Sequence, residues 1–364
     1  MEPGVSILWI NYNSLNFIDL ALESLQAVKD LNYSNYELIA VDNGSIDDSF
    51  PTIKSFIKKN GIRSRTISLD RNFGYTGGNN FAYANRNQNS KYVVLLNNDA
   101  VPKRDSLKEL VGFMEADESL GSAQGVILNY DERSIDTAGD YLDELFRTHP
   151  LLEGKHPQSL GKPVYITSAD GAYSIHRVEA IKKTTGRNDS ILDDFIFACF
   201  DDYLLGLRLW NSGFKVKTFP LITAKHKRGT SFNRANPLRA YLGARNWIIL
   251  NEISNSRYKN LIKPLFVKQL YEWFLAKIFS LNTELGSREL PPLLSRAFLD
   301  GMRIGRTKRR LGETIDMYRA PILRIPYLTA LLGITTRLQS IDPHIRKELD
   351  KIANLDANGK WNVQ

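Results

Sequence analysis

Short apolar runs that end in polar residues recur along the first 220 residues of the chain. The clearest lie at residues 5–10, 36–41 and 92–96. Unbroken runs of this length are typical of strands buried on both faces of a parallel sheet. Further strands are predicted at residues 64–69, 122–128, 164–167, 169–175 and 214–219.

Segments with apolar residues at helical spacing separate these runs. They lie near residues 14–25, 47–58, 103–115 and 203–211, with another directly after residue 80. Alternating strands and helices predict an α/β fold with a Rossmann-like, doubly wound and mostly parallel sheet. Residues 130–163 contain many turn formers and charges, and we predict an irregular excursion outside that scaffold.

From residue 236 the pattern becomes helical, with segments at 240–253, 261–281 and 327–334. The sequence therefore predicts two regions, an α/β domain over 1–234 and a helical, basic appendage over 235–364. The appendage has 21 Lys and Arg against 11 Asp and Glu, a formal charge of +10, whereas residues 1–234 carry −2. A positive region of this kind favours an anionic partner, either membrane or nucleic acid.

Two interpretations of the appendage remain open. In one, it packs on the α/β domain and exposes a solvated basic face. In the other, aromatic residues such as Phe266, Trp273 and Phe274 insert in the plane of a membrane, and the basic cluster at 301–310 contacts anionic lipid. Nucleic-acid binding is not expected, because the sequence contains no recognised nucleic-acid-binding module.

The cysteine content and the N-terminal sequence indicate the cellular compartment of the protein. Cys199 is the only cysteine, so no intramolecular disulfide forms, and a reducing compartment is expected. The first residues lack the pattern of a signal peptide, and no apolar stretch has the length of a transmembrane helix. We therefore expect a cytoplasmic protein, peripheral on the cytoplasmic face of the membrane.

Polar residues follow the predicted strands directly. Asn11 follows the first, Asp42 and Asn43 the second, and Asn97 to Asp99 the run at 92–96. The carboxyl ends of parallel strands meet at the edge where open α/β sheets bind ligands. Asp99 offers a hard oxygen donor that suits a divalent cation bound to phosphate. An ordinary Asn/Asp turn is the alternative.

Two glycine-containing segments also suggest a ligand. Residues 71–80 place Gly74, Gly77 and Gly78 ahead of a helix, where backbone can approach a phosphate closely. The spacing is not that of a dinucleotide fingerprint, so a plain glycine-rich loop is the alternative. Gly171, between two strand-like halves, predicts a bend or a close approach to substrate.

A pair of carboxylates opens the helix predicted at 203–211. Asp201 and Asp202 either cap this helix or face a cleft as reactive groups. His226 follows the last predicted strand, next to Lys225 and Lys227. It is either a metal ligand or a surface residue among cations.

In this order the motifs resemble the inverting glycosyltransferases of family 2, which have the GT-A fold, and most closely their rhamnosyltransferase-like branch. The matching pieces are INYN (10–13), VDNGS (41–45), NFGYTGGN (72–79), LLNND (95–99), GA (171–172) and FDD (200–202), followed by His226, Gly229 and Ser231. They span about residues 5–232.

The resemblance implies a role for each motif. Asp99 and His226 would hold Mg²⁺ or Mn²⁺, Asp202 would be the general base, and Gly171, Ala172 and Asp201 would lie on the acceptor side. The residues implied to bind the nucleotide-sugar are Asn11, Asp42, Asn43, Asn72, Gly74, Gly78, Asn79, Asn97 and Asn98. The chain departs from the family pattern at Asn97, Asp201 and Leu204, which stand where acidic residues (a Glu at position 201) are common.

The implied reaction is transfer of a hexose or deoxyhexose from a nucleotide-diphosphate sugar to a hydroxyl of a glycan or lipid-linked saccharide, as in polysaccharide biosynthesis. A base must take the hydroxyl proton, and a cation must neutralise the leaving diphosphate. We expect the helix N-terminus to lower the pKa of Asp202 and keep it ionised.

Two other functions compete with this one. A nucleotidyltransferase would favour a glycine-rich, basic loop after the first strand, where Asn11, Tyr12 and Asn13 stand instead. A non-catalytic module that binds nucleotide-sugar or membrane would not need both Asp99 and Asp202.

Overall fold

The computed structural model describes residues 2–230, 236–278, 290–335 and 341–353. The strands are β1 (Val5–Asn11), β2 (Tyr36–Asp42), β3 (Ser64–Ser68), β4 (Tyr92–Asn97), β5 (Ala100–Pro102), β6 (Leu120–Asn129), β7 (Ile135–Thr137), β8 (Asp140–Leu142), β9 (Thr148–Pro150), β10 (Val164–Tyr165), β11 (Tyr173–Arg177) and β12 (Lys215–His226). The helices are α1 (Ile18–Lys29), α2 (Ser49–Lys59), α3 (Gly74–Ala84), α4 (Ser106–Ala116), α5 (Val178–Thr185), α6 (Asp201–Asn211), α7 (Pro237–Ile253), α8 (Lys259–Ile278), α9 (Leu290–Arg310), α10 (Tyr327–Thr335) and α11 (Asp342–Ile352).

One mixed sheet organises the α/β part, in the order β10-β12-β6-β11-β4-β1-β2-β3. β1 is parallel to both β2 and β4, β2 is parallel to β3, and β6 is parallel to β12. β11 lies antiparallel between β4 and β6. The predicted α/β fold is confirmed, with β11 as an antiparallel strand at its centre.

The register of the central strands brings their polar ends together. Asn11 pairs with Asp42 across β1 and β2, and Ile10 pairs with Asn97 across β1 and β4. The apolar residues of β1, β2 and β4 are buried, as the unbroken runs predicted, except that Ile10 and Tyr36 are partly buried. The edge beyond them is where the candidate site lies.

The prediction of an irregular excursion over residues 130–163 is wrong. This segment forms β7, β8 and β9 and contributes Leu142, Phe146 and Leu151 to the main apolar core. Four of its carboxylates, those of Asp136, Asp140, Asp143 and Glu144, are buried with it. Asp143 accepts hydrogen bonds from Arg147 and lies 3.0 Å from the imidazole of His149.

Glu144 joins this segment to the C-terminal helical region. Its fully buried carboxylate accepts hydrogen bonds from Arg257 at 2.7 Å and from the Ile325 backbone N–H at 2.8 Å. Arg324 lies 3.3 Å away on its other oxygen. Since a buried charge needs such partners, the helical region is fixed on the α/β part by specific contacts as well as by apolar packing.

The helical region itself differs in part from the prediction. Phe266 does not face outward but is buried. Its ring centroid lies 5.2 Å from that of Phe298, with which it stacks, and 6.0 Å from that of Trp247. It therefore belongs to the core between α7, α8 and α9 and does not reach a membrane. The side chains of Trp273 and Phe274 lie outside the described residues, as do Ser231 and the boundary between 234 and 235. Of the helices in the described ranges, none combines the length and apolar character needed to span a bilayer.

Candidate active site

A cleft of about 470 Å³ opens beyond the carboxyl ends of β1 and β4. Its walls come from the α3 N-terminus, the segment before α6, the end of β12 and the start of α7. The predicted site residues that line it are Asn43, Asn72, Gly74, Asn97, Asn98, Asp99, Gly171, Ala172, Asp201, Asp202 and His226. The structure thus gathers residues that are up to 183 positions apart in the sequence, from Asn43 to His226, into one site.

The other predicted residues, Asn11, Asp42, Gly78 and Asn79, lie behind this wall. Asn11 donates to the Asp42 carboxylate at 3.2 Å and to Ser49 at 3.0 Å. Asn79 donates to the Tyr75 carbonyl at 2.9 Å. These amides have protein partners, so they hold the ends of β1, β2 and α3 in place.

The glycine-containing loop before α3 has the close packing that its sequence predicted. Gly74 has φ +76°, and a Cβ there would lie 2.4 Å from the Phe197 carbonyl oxygen. Asn43 donates to Asn72 Oδ1 at 3.0 Å and to the Gly74 carbonyl at 2.9 Å. The loop is therefore held rigidly at the cleft, with backbone in place of a side chain at its closest point.

Asp99 and His226 meet at the cleft, as the sequence predicted. Asp99 Oδ1 lies 3.2 Å from His226 Nε2, and both side chains are buried. His226 Nδ1 lies 2.9 Å from Asp136 Oδ2, which fixes the ring. Burial lowers the pKa of His226, but the hydrogen bonds to Asp136 and Asp99 outweigh burial and raise the pKa to about 10.

This arrangement fits a divalent cation. Ligands at neighbouring vertices of an octahedral site with bonds of about 2.1 Å are about 3.0 Å apart, close to the Asp99–His226 separation. Histidine ligands usually donate their second ring N–H to a carboxylate, and Asp136 is placed for that. Asp99 and His226 would be the ligands, and Asp136 would orient the histidine.

A second group of carboxylates lies deeper in the site. Asp140, Asp170 and Asp202 present oxygens within 4.8 Å of one another, a spacing that also permits a shared cation. Arg228 already donates to Asp170 at 2.7 Å and to Asp136. This guanidinium supplies positive charge to the group, as the His226 imidazole does to Asp99.

The charges in this group set the pKa of each carboxyl. Burial raises the pKa of Asp170, but Arg228 and His226 outweigh it and hold the pKa below its usual range. Burial, together with Asp201, Asp170 and Asp140, raises the pKa of Asp202 well above its usual value. The expectation of a lowered pKa at Asp202 is therefore wrong. A helix N-terminus contributes about 0.3–1 kcal/mol, less than one pKa unit, and cannot offset burial among three other carboxylates.

Asp201 and Asp202 are the first two residues of α6, and the N-cap position belongs to Phe200. Asp202 Oδ1 accepts the Tyr203 backbone N–H at 2.8 Å, and its carboxyl lines the cleft. Burial raises the pKa of Asp201 to about 6, and hydrogen bonds from backbone N–H groups offset only part of this increase. The pair therefore faces the cleft while also satisfying backbone at the start of the helix.

The segment before α6 has an unusual backbone. Phe197, Cys199 and Phe200 have φ of 68°, 69° and 67°, the left-handed region that side-chain-bearing residues seldom adopt. Each costs of the order of 1–3 kcal/mol and persists only where the surroundings fix it. Phe197, Ala198 and Cys199 line the cleft.

Asp136, Asp140, Asp170 and Arg228 are site residues that the sequence did not identify. Asp136 and Asp140 lie in the segment expected to be irregular, in β7 and at the start of β8. The available signal was the density of Asp residues between 131 and 143, which surface loops also show. Asp170 precedes the predicted Gly171, and Arg228 follows His226 by two residues.

The family model for glycosyl transferase family 2 matches residues 6–185. This range contains β1 to β11 and the first half of the site, including Asp99, Asp136 and Asp170. Among curated protein sequences, none matches the chain.

Several solved structures share the fold at low sequence identity. S. aureus TarS 1–349, in complex with UDP-GlcNAc, is 15% identical with a TM-score of 0.50, over 85% of this chain and 92% of that one. GalNAc-T7 with UDP, GalNAc and Mn²⁺ is 12% identical with a TM-score of 0.55, over 85% and 57%. The mannosyltransferase PcManGT from Pyrobaculum calidifontis, in complex with GDP-Man and Mn²⁺, is 15% identical with a TM-score of 0.50, over 97% and 85%.

Proposed function

We propose that the chain, whose residues 6–185 match the family model for glycosyl transferase family 2, is an inverting glycosyltransferase that uses a nucleotide-diphosphate sugar. One observation supports this most strongly. A cation-binding pair, Asp99 and His226, and a carboxylate at a helix start, Asp202, face the same cleft. Single-step transfer of a sugar needs a base that acts on the attacking hydroxyl and a cation that acts on the leaving diphosphate.

Asp202 is the proposed general base. Its raised pKa makes its ionised form a stronger proton acceptor than an exposed aspartate. An acceptor hydroxyl within hydrogen-bond reach would give Asp202 its proton while the hydroxyl oxygen attacks the anomeric carbon. Asp201 and Asp140 would contribute negative charge that favours this proton uptake.

The donor would lie with its diphosphate toward Asp99 and His226. A divalent cation held there, Mg²⁺ or Mn²⁺, supplies charge neutralisation for the departing nucleoside diphosphate. Asn97, Asn98 and the Gly74 loop line the adjoining wall and would contact the nucleotide and sugar. Two of the similar structures contain Mn²⁺ with UDP or GDP-Man, which agrees with this placement.

The acceptor side is the wall that contains Gly171 and Ala172. A Cβ on Gly171 would lie 2.6 Å from the Tyr75 hydroxyl, which donates to the Gly171 carbonyl at 2.9 Å. We infer that the Tyr75 hydroxyl fixes this backbone as part of the cleft wall against which the acceptor would lie. The acceptor would be a hydroxyl of a glycan or lipid-linked saccharide, in polysaccharide biosynthesis, and the sugar a hexose or a deoxyhexose such as rhamnose.

Incubation with a panel of UDP-, GDP- and dTDP-sugars plus Mn²⁺ tests the function. We expect at least one donor to release nucleoside diphosphate, and EDTA to suppress that release. The panel includes UDP-GlcNAc, GDP-Man and a dTDP-deoxyhexose. Absence of release and of calorimetric binding for every donor would contradict the proposal.

A basic stripe on α9 supports peripheral attachment to the cytoplasmic face of an anionic membrane. We define it as Arg296, Leu299, Arg303, Arg306 and Arg310, which recur at helical spacing along one face. The side chains of Arg296 and Arg303 are 79% and 75% exposed, and Leu299 is 68% exposed. Cations near anionic lipid contribute about 1 kcal/mol each, and an exposed apolar side chain among them adds contact with the bilayer.

Reversing two charges of the stripe should weaken this attachment. We expect the wild type to float with phosphatidylserine-containing vesicles at low salt. Arg306→Glu with Arg310→Glu should lower the bound fraction about tenfold or more, because a net change of four charges faces the lipid. The matched control is Lys58→Glu with Lys59→Glu, the same change at the end of α2. The membrane proposal would be contradicted by wild-type protein that stays in the soluble fraction. An equal fall of the bound fraction in the stripe variant and in the control variant would also contradict it.

A further inference from the structure

One buried side chain of α7 holds the strained segment that leads into the Asp201–Asp202 pair. Asn246 is fully buried, and its Nδ2 lies 3.1 Å from the Ile196 carbonyl oxygen. It also lies 2.8 Å from the carbonyl oxygens of Ala198 and Cys199. The two N–H donors of this amide are shared among three carbonyls of one loop, which makes a specific clamp because these contacts require the loop backbone in one conformation.

The opposite side of the same segment is held by α3. The Thr76 backbone N–H donates to the Phe197 carbonyl at 3.0 Å, and the Thr76 hydroxyl lies 3.3 Å from the same oxygen. Phe197, Cys199 and Phe200 have left-handed backbone and therefore depend on such contacts. Phe200 is also the N-cap residue of α6, so the position of this segment sets where α6 begins.

We propose that Asn246 is a positioning residue, which fixes the segment 195–200 so that the carboxyls of Asp201 and Asp202 face the cleft. The proposal rests on the glycosyltransferase function for its catalytic meaning. It makes the helical region part of the catalytic unit, because the clamp comes from α7 and the base from α6. Arg245 strengthens the link by donating to the Phe195 carbonyl at 3.1 Å.

Cys199 offers a direct readout of this clamp. It is the only cysteine of the chain, and its carbonyl is one of the three that Asn246 holds. Burial raises the pKa of its thiol to about 12, so the thiol should react slowly with Ellman's reagent while the segment is fixed. Cys199 is already partly exposed at the cleft wall, and loss of the clamp should free the segment, expose the thiol further and accelerate labelling, whether or not any sugar donor is known.

The test compares two buried asparagines of the same helix. Asn246→Ala removes the clamp, and Asn251→Ala removes an equally buried amide that has no hydrogen-bond partner among the described residues. We expect labelling of native protein to accelerate about tenfold or more in Asn246→Ala, from the loss of several buried hydrogen bonds, and less than about twofold in Asn251→Ala. Equal acceleration in both variants would reflect general loosening and would overturn the proposal, as would a wild-type rate in Asn246→Ala.

A second variant and a kinetic measurement complete the test. Asn246→Ser keeps one hydroxyl donor in a smaller side chain and serves if Asn246→Ala does not fold. We expect Asn246→Ser to be labelled faster than wild type, and a wild-type labelling rate would overturn the proposal. With an active donor, kcat should fall about tenfold or more in Asn246→Ala while the donor KM stays within about threefold, since Asp99 and His226 are untouched. A donor KM that rises instead, with kcat unchanged, would overturn the positioning role. If wild type turns over no donor, the proposed function fails, and the labelling rates still decide the clamp.

Discussion

Replacement of Asp202 by asparagine should lower sugar transfer by roughly 10²–10⁴-fold, the usual contribution of a general base. Asparagine keeps the shape of the side chain and an oxygen for the Tyr203 N–H, which Asp202 now accepts at 2.8 Å. It cannot take the acceptor proton. Folding and donor affinity should therefore stay nearly unchanged, which thermal unfolding and calorimetry would verify alongside the rate of nucleoside diphosphate release.

The control is Asp189→Asn, which alters an exposed aspartate in the connection between α5 and α6. If Asp202 served only the helix start, its replacement would cost about 1 kcal/mol of stability or less, with turnover preserved. A folded Asp202→Asn protein that transfers sugar at the wild-type rate would remove Asp202 from the mechanism.

Loss of the Asp99 carboxylate should abolish the cation-dependent part of donor binding. We expect wild type to bind its donor at least tenfold more tightly with Mn²⁺ than with EDTA. In Asp99→Ala this difference should vanish, because a direct ligand is lost. Replacement of a residue that only orients a ligand costs 10–100-fold in metal affinity, so Asp136→Asn should show a smaller loss.

The matched control for Asp99 is Asp131→Ala, an exposed carboxylate in the turn after β6. It should retain the full difference between Mn²⁺ and EDTA in calorimetry. Equal donor affinity with and without cation in wild type would contradict the assignment of Asp99 and His226. An undiminished cation effect in Asp99→Ala would do the same.

Local patterns were sufficient to predict much of the sheet and half of the site. Buried parallel strands require unbroken apolar runs, and the polar residues that stop those runs lie at the ligand edge of the sheet. Asn43, Asn97 and Asp99 were found in this way, because each lies at the end of a strand or within two residues of it. Asp202 was singled out by the family resemblance, because a carboxylate at a helix start is by itself also typical of a helix cap.

Partners that come from distant segments had no such pattern. Asp136 orients His226 across 90 positions of sequence, and Asp140 approaches Asp202 from β8. Their segment is rich in turn formers, which predicted irregular structure, whereas tertiary packing buries it. Asn246 is similar, because nothing in a helical pattern indicates that one amide will reach three carbonyls of another segment.

The direction of the Asp202 pKa shift was also not predictable from local sequence, because it depends on residues from distant segments. The expectation from the sequence considered only the helix N-terminus, which favours a charged carboxylate. The structure adds burial and three further carboxylates, of which Asp140 and Asp170 come from other elements. Those contributions reverse the direction of the shift, so the electrostatics of the base depended on contacts that the sequence did not reveal.

In the proposed mechanism, Asp202 activates the acceptor for direct attack on the anomeric carbon in a single displacement. The most direct measurement follows the anomeric configuration of the transferred sugar by proton NMR, with the active donor from the panel. Water can serve as acceptor if spectra are taken before mutarotation. A single displacement inverts the anomeric centre, so we expect an α-linked donor to yield a β product. A product that retains the α configuration would contradict it.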